Sequence, residues 1–179
     1  MSIRLYIGCM FSGKTSELQR EYTRWKNINK NALIINYSDD ERYGKDDFVY
    51  NHDKNKIPCI KTKKLFDIPI EILQKNDVIL INEGQFFGDL FNFCQLWCEK
   101  YNKNIVVCGL DGDYLRKPFD QINSLLPLAD EVIKLKAFCK KCNDGTQALF
   151  SKRLTDETEN IVIGSDEKYM PVCRKHYID

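Results

Sequence analysis

The feature that most constrains the fold is the octapeptide at residues 8–15, Gly-Cys-Met-Phe-Ser-Gly-Lys-Thr. It follows an apolar run at residues 3–7 and fits the Walker A pattern, in which a glycine-rich loop joins a strand to a helix. The glycines let backbone N–H groups turn toward phosphate oxygens, while Lys14 and Thr15 offer an ammonium for the phosphates and a hydroxyl for Mg²⁺. A chance glycine turn is the alternative. The residues assigned to the phosphates are Gly8, Cys9, Met10, Phe11, Ser12, Gly13, Lys14 and Thr15.

Composition and charge exclude several classes of protein. The chain has 179 residues, of which 43% are hydrophobic and 30% charged, as in globular domains. Its formal net charge of +1 gives no overall field that attracts nucleic acid or an anionic membrane. No apolar stretch approaches the roughly 20 residues of a membrane helix, and polar Ser12 and Lys14 interrupt any signal-peptide pattern. We therefore expect a cytoplasmic protein with neither nucleic acid nor a membrane as partner.

Apolar runs of strand length recur along the chain and alternate with helical patterns. The runs lie at residues 32–37, 77–83, 104–109 and 131–135, and helical spacing follows the glycine-rich loop and returns over 86–101. This alternation predicts an α/β fold of the P-loop NTPase type, a parallel sheet flanked by helices on both faces. Ligands then bind beyond the carboxyl ends of the strands, where residues 8–15, 82–83 and 110–114 would meet. The polar segment 38–56 predicts a loop.

Four residues near the end of the chain have the spacing of metal ligands. Cys139 and Cys142 form a C-x₂-C pair, and Cys173 and His176 form a C-x₂-H pair after thirty intervening residues. Such a set suits tetrahedral Zn²⁺ and leaves no open position for water, which predicts a structural site. A disulfide is the alternative, and a reducing compartment disfavours it. The other cysteines, including the pair at 94 and 98, are interpreted as buried apolar residues.

The change of pattern after residue 136 predicts two domains. Residues 1–136 would form a P-loop α/β nucleotide-binding domain, and residues 137–179 a small zinc-binding domain that reaches over the substrate. Inside the second domain, residues 147–153 are predicted to pair with residues 160–164 as a β-hairpin. The polar segment 154–159 would join these two strands and lie over the substrate.

Several motifs together resemble the type II thymidine kinases, from about residue 3 to residue 177. They are the G-x-M-F-S-G-K loop, E-G-Q-F-F at 83–87, the segments 109–119 and 126–130, S-K-R at 151–153, and the two ligand pairs. The resemblance implies transfer of the ATP γ-phosphoryl group to the 5′-hydroxyl of thymidine, with Mg²⁺ and a structural Zn²⁺. It further implies a homotetramer and suggests dTTP as a feedback inhibitor.

Residues near the loop supply the chemistry that phosphoryl transfer requires. Glu83 is the predicted general base toward the 5′-hydroxyl, and a structural carboxylate is the alternative. Asn82 is a predicted Mg²⁺ ligand beside Thr15, although many members of the family carry aspartate there. Arg42 and Arg116 are candidates for stabilising phosphate charge, and each equally fits a surface ion pair. The predicted ATP-binding residues outside the loop are Asp40, Arg42, Asn82 and Gln85.

A nucleobase requires flat apolar walls and a few polar groups at its edge. Taken singly, each aromatic residue near the motifs also fits a core position. The resemblance favours Tyr114 and Tyr169 as substrate contacts, with Met10 and Leu110 near the thymine methyl group. It also implies that the backbone of residues 160–164 binds the base edge, with Ser151 in reach. The predicted substrate-binding residues are Met10, Phe86, Leu110, Tyr114, Phe119, Ser151, Asn160, Ile161, Val162, Ile163, Gly164 and Tyr169.

Three other functions fit parts of this pattern. They are a kinase for another nucleoside on the same scaffold, a P-loop NTPase that works as a switch or motor, and a zinc-ribbon protein that binds nucleic acid. The near-neutral charge disfavours the third of these.

Overall fold

A computed structural model describes residues 1–38, 47–50, 56–155 and 168–179. The strands are β1 (Ser2–Gly8), β2 (Ala32–Tyr37), β3 (Phe48–Tyr50), β4 (Lys56–Pro58), β5 (Ile60–Thr62), β6 (Val78–Ile81), β7 (Asn104–Gly109), β8 (Glu131–Leu135), β9 (Ala137–Phe138), β10 (Gln147–Ala148), β11 (Phe150–Arg153) and β12 (Tyr169–Val172). The α-helices are α1 (Lys14–Asn27), α2 (Ile70–Gln74), α3 (Leu90–Gln95), α4 (Asp120–Ser124) and α5 (Arg174–Ile178). None of the helices in these ranges has the length and apolar character that crossing a bilayer requires.

Six strands form the main sheet in the order β5-β2-β6-β7-β1-β8, and every neighbouring pair is parallel. The predicted α/β architecture is therefore confirmed. Three predicted runs, at residues 32–37, 104–109 and 131–135, coincide with β2, β7 and β8. Since β1, β7 and β6 are adjacent and parallel, their carboxyl ends lie side by side at one edge of the sheet.

Both faces of the sheet are covered, which explains why its strands are apolar at successive positions. Ile79 and Ile81 of β6 belong to a core cluster that also contains residues of α3 and α4. Val78 and Leu80 of the same strand belong to the opposite cluster, with Leu18 of α1. The period-2 alternation of a strand thus distributes consecutive residues between two separate cores.

The helical pattern over residues 86–101 is broken into three pieces. A 3₁₀ turn spans Gly84–Phe86, α3 follows, and a π-helical turn covers Leu96–Lys100. Phe87 and Phe93 are both fully buried, and the ring of Phe87 packs edge-on against Tyr37 at 5.4 Å. The apolar spacing was predicted, whereas the interruption between the 3₁₀ turn and α3, where Phe87 is buried, was not.

One expectation about strand pairing requires correction. Residues 38–56 were expected to form a loop, but β3 pairs with β4 because Val49 is buried against α1, whose Gln19 donates to its carbonyl oxygen at 3.2 Å. Residues 147–153 were expected to pair with residues 160–164, which lie outside the described ranges, so this pairing stays a prediction. Among the described residues, β11 pairs with β12 and β10 pairs with β9, arrangements that bury Val172 and Ala148 together.

Candidate active site and metal centre

The glycine-rich loop joins β1 directly to α1, and its two glycines are required for different reasons. Gly8 has φ +145°, and a Cβ there would collide with the carbonyl oxygen of Leu135 on the neighbouring strand β8. Gly13 has φ +86° in open space, so its requirement is purely conformational. Because Gly13 immediately precedes Lys14, the loop ends at the amino terminus of a fourteen-residue helix, the positive end of its dipole.

Two side chains of this loop are arranged as an anion site would require. The ammonium of Lys14 donates to the carbonyl oxygens of Gly8 at 3.1 Å and Cys9 at 2.7 Å, so it folds back over the loop. The hydroxyl of Ser12 is buried and has no hydrogen-bond partner among the described residues. A buried hydroxyl without a partner is costly, and a phosphate oxygen would satisfy it. Thr15 follows on the first turn of α1 and is half-buried.

Beyond the end of β6, the chain turns through two buried polar residues. Asn82 donates from Nδ2 to Oδ1 of Asn36 at 3.0 Å, and its backbone N–H donates to the carbonyl oxygen of Ile35 at 2.8 Å. Glu83 follows with φ +53°, a left-handed conformation that is uncommon outside glycine and asparagine. The turn places a buried carboxylate at the carboxyl edge of the sheet.

Gln85 links that carboxylate to the end of β7. Its Nε2 donates to a carboxylate oxygen of Glu83 at 2.6 Å, and its Oε1 accepts from the backbone N–H of Leu110 at 3.0 Å. A Cβ on Gly109 would lie only 2.9 Å from that Oε1, so a glycine at the end of β7 leaves room for the amide. Glu83, Gln85 and Leu110, three predicted site residues, therefore form one hydrogen-bonded chain.

The predicted aromatic residues separate into two groups. Phe86 lies on the β2 side of the edge, 5.3 Å from the ring of Tyr37, and Phe119 packs against the core cluster under α4. Tyr114 and Tyr169 are brought together by Arg153, whose guanidinium carbon lies 3.7 Å from the ring centre of Tyr114. The same guanidinium donates to the Tyr169 hydroxyl at 2.7 Å. The two residues that the family resemblance favours as substrate contacts thus share one partner.

Arg116 was interpreted either as a residue that stabilises phosphate charge or as a surface ion-pair residue, and among the described residues its guanidinium lies over two aromatic rings. Its guanidinium carbon lies 4.4 Å from the ring centre of Tyr177 and 5.7 Å from that of Phe150. The Tyr177 hydroxyl also donates to the carbonyl oxygen of Tyr114 at 2.6 Å. These contacts attach the segment that follows β7 to the last helix of the chain.

Ser151 lies on β11 with its side chain against the glycine-rich loop. Its buried Oγ accepts a 2.9 Å hydrogen bond from the backbone N–H of Met10. One residue earlier in the loop, the thiol of Cys9 donates to the carbonyl oxygen of Ala148 at 3.5 Å. Two predicted loop residues and one predicted substrate residue therefore meet at this junction.

The four predicted metal ligands converge. The ligand atoms of Cys139, Cys142, Cys173 and His176 all lie within 4.8 Å of one another. The Sγ atoms of Cys142 and Cys173 are 3.7 Å apart, and Nδ1 of His176 is 3.3 Å from Cys142 Sγ. Ligands bound tetrahedrally at zinc distances lie about 3.5–3.8 Å apart, so the cluster can hold such an ion.

The two thiols of the C-x₂-C pair differ in protonation, since burial and the neighbouring thiols raise the pKa of Cys142 to about 11. Burial raises the pKa of the Cys139 thiol, but hydrogen bonds from the backbone N–H groups of Cys173 and Cys142 and from His176 outweigh it and lower that pKa to about 6. A thiolate is the form that binds metal. All eight cysteines lie in the described part of the chain and none forms a disulfide, so the disulfide alternative is not observed.

Two residues of the candidate site were not predicted from the sequence, and several predicted residues lie outside the described ranges. Asn36 and Arg153 were not predicted, although a polar residue near the end of the apolar run 32–37 was a usable signal for Asn36. Cys94 and Cys98 are buried in the core, as predicted, where burial raises the pKa of both thiols. The predicted residues outside the described ranges are Asp40, Arg42, Asn160, Ile161, Val162, Ile163 and Gly164.

Comparison with known proteins agrees with the resemblance read from the motifs. The family model described as thymidine kinase matches residues 1–177. The chain is 44% identical over 177 residues to the thymidine kinases of vaccinia virus (strain Western Reserve), monkeypox virus and variola virus. Each alignment covers 99% of this chain and 97% of the relative. The chain therefore belongs to the thymidine kinase family, whose members are phosphotransferases.

Proposed function

We propose that this chain transfers the γ-phosphoryl group of ATP to the 5′-hydroxyl of thymidine at the carboxyl edge of its main sheet. Membership of the thymidine kinase family supports the reaction. The observation that carries the location is the buried carboxylate of Glu83, which Gln85 holds at the same sheet edge as the glycine-rich loop. Phosphoryl transfer needs charge neutralisation, positioning and an acceptor for the alcohol proton, and this edge offers groups for all three.

The loop at residues 8–15 is the proposed phosphate site. Ser12 offers a buried hydroxyl without a described partner, and Lys14 offers an ammonium on a flexible stem that can exchange loop carbonyls for phosphate oxygens. Thr15 and Asn82 would hold Mg²⁺, which supplies charge neutralisation at the phosphates. The amide nitrogen of Asn82 is engaged by Asn36, so its oxygen is the atom suited to a hard cation.

Glu83 is the proposed general base. Its carboxylate would accept the proton of the thymidine 5′-hydroxyl as that oxygen attacks phosphorus. Gln85 donates to the carboxylate and is itself anchored by Leu110, so the base is oriented before substrate arrives. Fixed orientation matters because small misplacements of a catalytic group cost large factors in rate.

The nucleoside is proposed to lie between the glycine-rich loop and the strands β11 and β12. Tyr114 and Tyr169, both in contact with Arg153, would supply flat walls, and Met10 and Leu110 lie at the adjoining loop and strand end. Residues 160–164 would bind the base edge through their backbone, in which case a mismatched base would leave buried polar groups unpaired. Phe86, Phe119 and Ser151 complete the proposed substrate set.

The cysteine and histidine cluster is proposed to hold one structural Zn²⁺. Its four ligands leave no open position, and residues 137–179 would form the small domain that it stabilises, beside a nucleotide-binding domain at residues 1–136. Eight cysteines without a disulfide are consistent with a reducing, cytoplasmic location. A homotetramer and feedback inhibition by dTTP are proposed on family resemblance.

The test is phosphoryl transfer from labelled ATP, with Mg²⁺, to a panel of deoxynucleosides. We expect label on thymidine and little on deoxycytidine or the purine nucleosides. ATP hydrolysis that is equal with and without nucleoside would contradict the kinase assignment while leaving the phosphate site intact. Label on deoxycytidine rather than thymidine would retain the reaction and overturn the proposed acceptor.

A further inference from the structure

The first half of the glycine-rich loop contacts the cysteine and histidine module through three consecutive residues. The module is defined here as residues 137–155 and 168–179. Cys9 donates from Sγ to the carbonyl oxygen of Ala148, and Met10 donates from its backbone N–H to Ser151 Oγ at 2.9 Å. The ammonium of Lys140 lies 5.1 Å from the ring centre of Phe11. The module therefore supports the loop in addition to the connection of the loop with β1.

An apolar cluster continues this contact as far as the predicted metal ligands. Cys9 is buried together with four module residues, one of which is the predicted ligand Cys139. The members of the buried cluster are Cys9, Ala137, Cys139, Ala148 and Val172. Because packed interiors transmit displacement rather than absorb it, the position of the module constrains the position of the loop.

The backbone of the loop needs an external restraint. Gly8 and Gly13, on either side of Met10, have positive φ and little intrinsic preference for one conformation. Phe11 has φ +63°, a conformation that a bulky side chain keeps only where its surroundings enforce it. Two buried hydrogen bonds with the module restrain this stretch, and the one between the Met10 N–H and Ser151 Oγ is the bond that holds the loop backbone itself.

The hydrogen bond to Ser151 also separates the backbone N–H groups of the loop into one that is bonded within the protein and others that are placed to bind an anion. An anion at the start of a helix is bound by the N–H groups that lead into its first turn, here those close to Lys14. The N–H of Met10 lies four residues earlier and is already paired with Ser151. Ser151 itself is held rigidly, since it pairs with Pro171 across the β11–β12 ladder. A fixed hydroxyl thus restrains the stretch of loop that precedes the anion-binding end.

We propose that Ser151 is a positioning residue for the phosphate loop, through which the cysteine and histidine module sets the affinity for the phosphates of the nucleotide. This role rests on the proposed function of the loop and differs from a contact with the nucleoside base. In this role the module contributes to the donor site, where the nucleotide binds, as well as to the acceptor site.

The test compares Ser151→Val with Ser151→Thr. Valine and threonine have similar volumes and both favour strands, but only threonine keeps the hydroxyl. Calorimetric titration with Mg²⁺ and ADP, without any nucleoside, measures the donor site alone. We expect the Kd for ADP to rise about fivefold in Ser151→Val, as for loss of one buried hydrogen bond, and to stay within about twofold in Ser151→Thr. Ser124→Ala, which removes an exposed hydroxyl on α4, is the control for hydroxyl deletion.

Several results would overturn the proposal. An ADP Kd in Ser151→Val equal to that of the unaltered protein would do so, as would a rise confined to the KM for thymidine. Metal content and Tm are measured for each variant, and Ser151→Ala replaces the valine variant if that one fails to fold. If the unaltered protein binds no ADP, the proposed phosphate site fails and this inference fails with it. If it binds ADP and phosphorylates thymidine while Ser151→Val and Ser151→Ala bind ADP normally, only the inference fails.

Discussion

Gln85 donates a 2.6 Å hydrogen bond from its Nε2 to a carboxylate oxygen of Glu83, two residues before it. The backbone N–H of Leu110 fixes the other end of the same amide at 3.0 Å. These hydrogen bonds fix the orientation of the Glu83 carboxylate. Its orientation can therefore be kept while its ability to accept a proton is removed. Substitutions that keep the hydrogen bond and remove the basicity are therefore the informative ones.

Glu83→Gln is expected to abolish most turnover and to retain the binding of thymidine. A glutamine amide oxygen still accepts from Gln85, so the local geometry persists, but it cannot take the proton of the 5′-hydroxyl. Removal of a general base costs about 10²–10⁴-fold in kcat. Glu99→Gln, the same change at an exposed position beyond α3, should behave like the unaltered protein. Turnover near normal in Glu83→Gln would assign the base to another residue.

Asn82→Asp is expected to lower the Mg²⁺ concentration that gives half-maximal rate, because a carboxylate binds a hard cation more strongly than an amide oxygen does. The change also removes the Nδ2 group that donates a 3.0 Å hydrogen bond to Oδ1 of Asn36. We therefore expect the gain in Mg²⁺ use to be accompanied by a loss of about 1 kcal/mol in the free energy of unfolding. Rate measurements over a Mg²⁺ series test the first expectation, and an unchanged or raised requirement would contradict it.

The metal assignment is tested with two cysteine-to-serine changes. Cys142→Ser removes a predicted ligand, whereas Cys98→Ser changes a thiol that lies in the main core. We expect about one zinc per chain by elemental analysis in the unaltered protein and in Cys98→Ser, with loss of the metal in Cys142→Ser. Because metal binding contributes directly to folding, Cys142→Ser should also lower the Tm. Retained zinc in Cys142→Ser would show that the ion is held elsewhere.

Five strands of the main sheet were predictable because their signal is contiguous in the sequence, whereas the three-residue strand β5 was not predicted. The run at residues 104–109 is apolar throughout, and β7 occupies those residues. The glycine-rich loop is likewise local, since Gly8 and Gly13 impose its turns. Arg153 belongs to the S-K-R motif at residues 151–153, but nothing local in the sequence indicated its role. Its role depends on contacts with Tyr114, 39 positions earlier, and with Tyr169 across a strand pair whose register could not be predicted.

Large separation along the chain also explains why two hydrogen bonds of the site were not predicted. The pairing of Asn82 with Asn36 spans 46 positions, and the contact of Ser151 with Met10 spans 141. Contacts at such separations leave no periodic pattern in the sequence, because each hydrogen bond depends on how whole strands and helices pack together. The ligand pairs of the metal cluster were predictable despite their separation, since cysteine and histidine carry recognisable chemistry at short spacing.

Arg153 provides the last prediction. Its guanidinium lies over the ring of Tyr114 at 3.7 Å and donates to the hydroxyl of Tyr169 at 2.7 Å, so its removal should release both proposed walls of the nucleoside site. We expect Arg153→Met to raise the KM for thymidine about tenfold and to change the KM for ATP much less, since the stacking and hydrogen-bond contributions together amount to about 1–2 kcal/mol.

Two further variants make this prediction specific. Arg153→Lys keeps the charge but lacks the planar fork that stacks and donates at once, so it should resemble Arg153→Met rather than the unaltered protein. Arg174→Met removes another guanidinium, on an exposed residue 5.0 Å from the ring centre of Phe150, and should leave the KM for thymidine unchanged. Equal effects of Arg153→Met on the KM for thymidine and the KM for ATP would indicate general loosening of the module, because a residue that positions only the two tyrosines acts on the acceptor site alone.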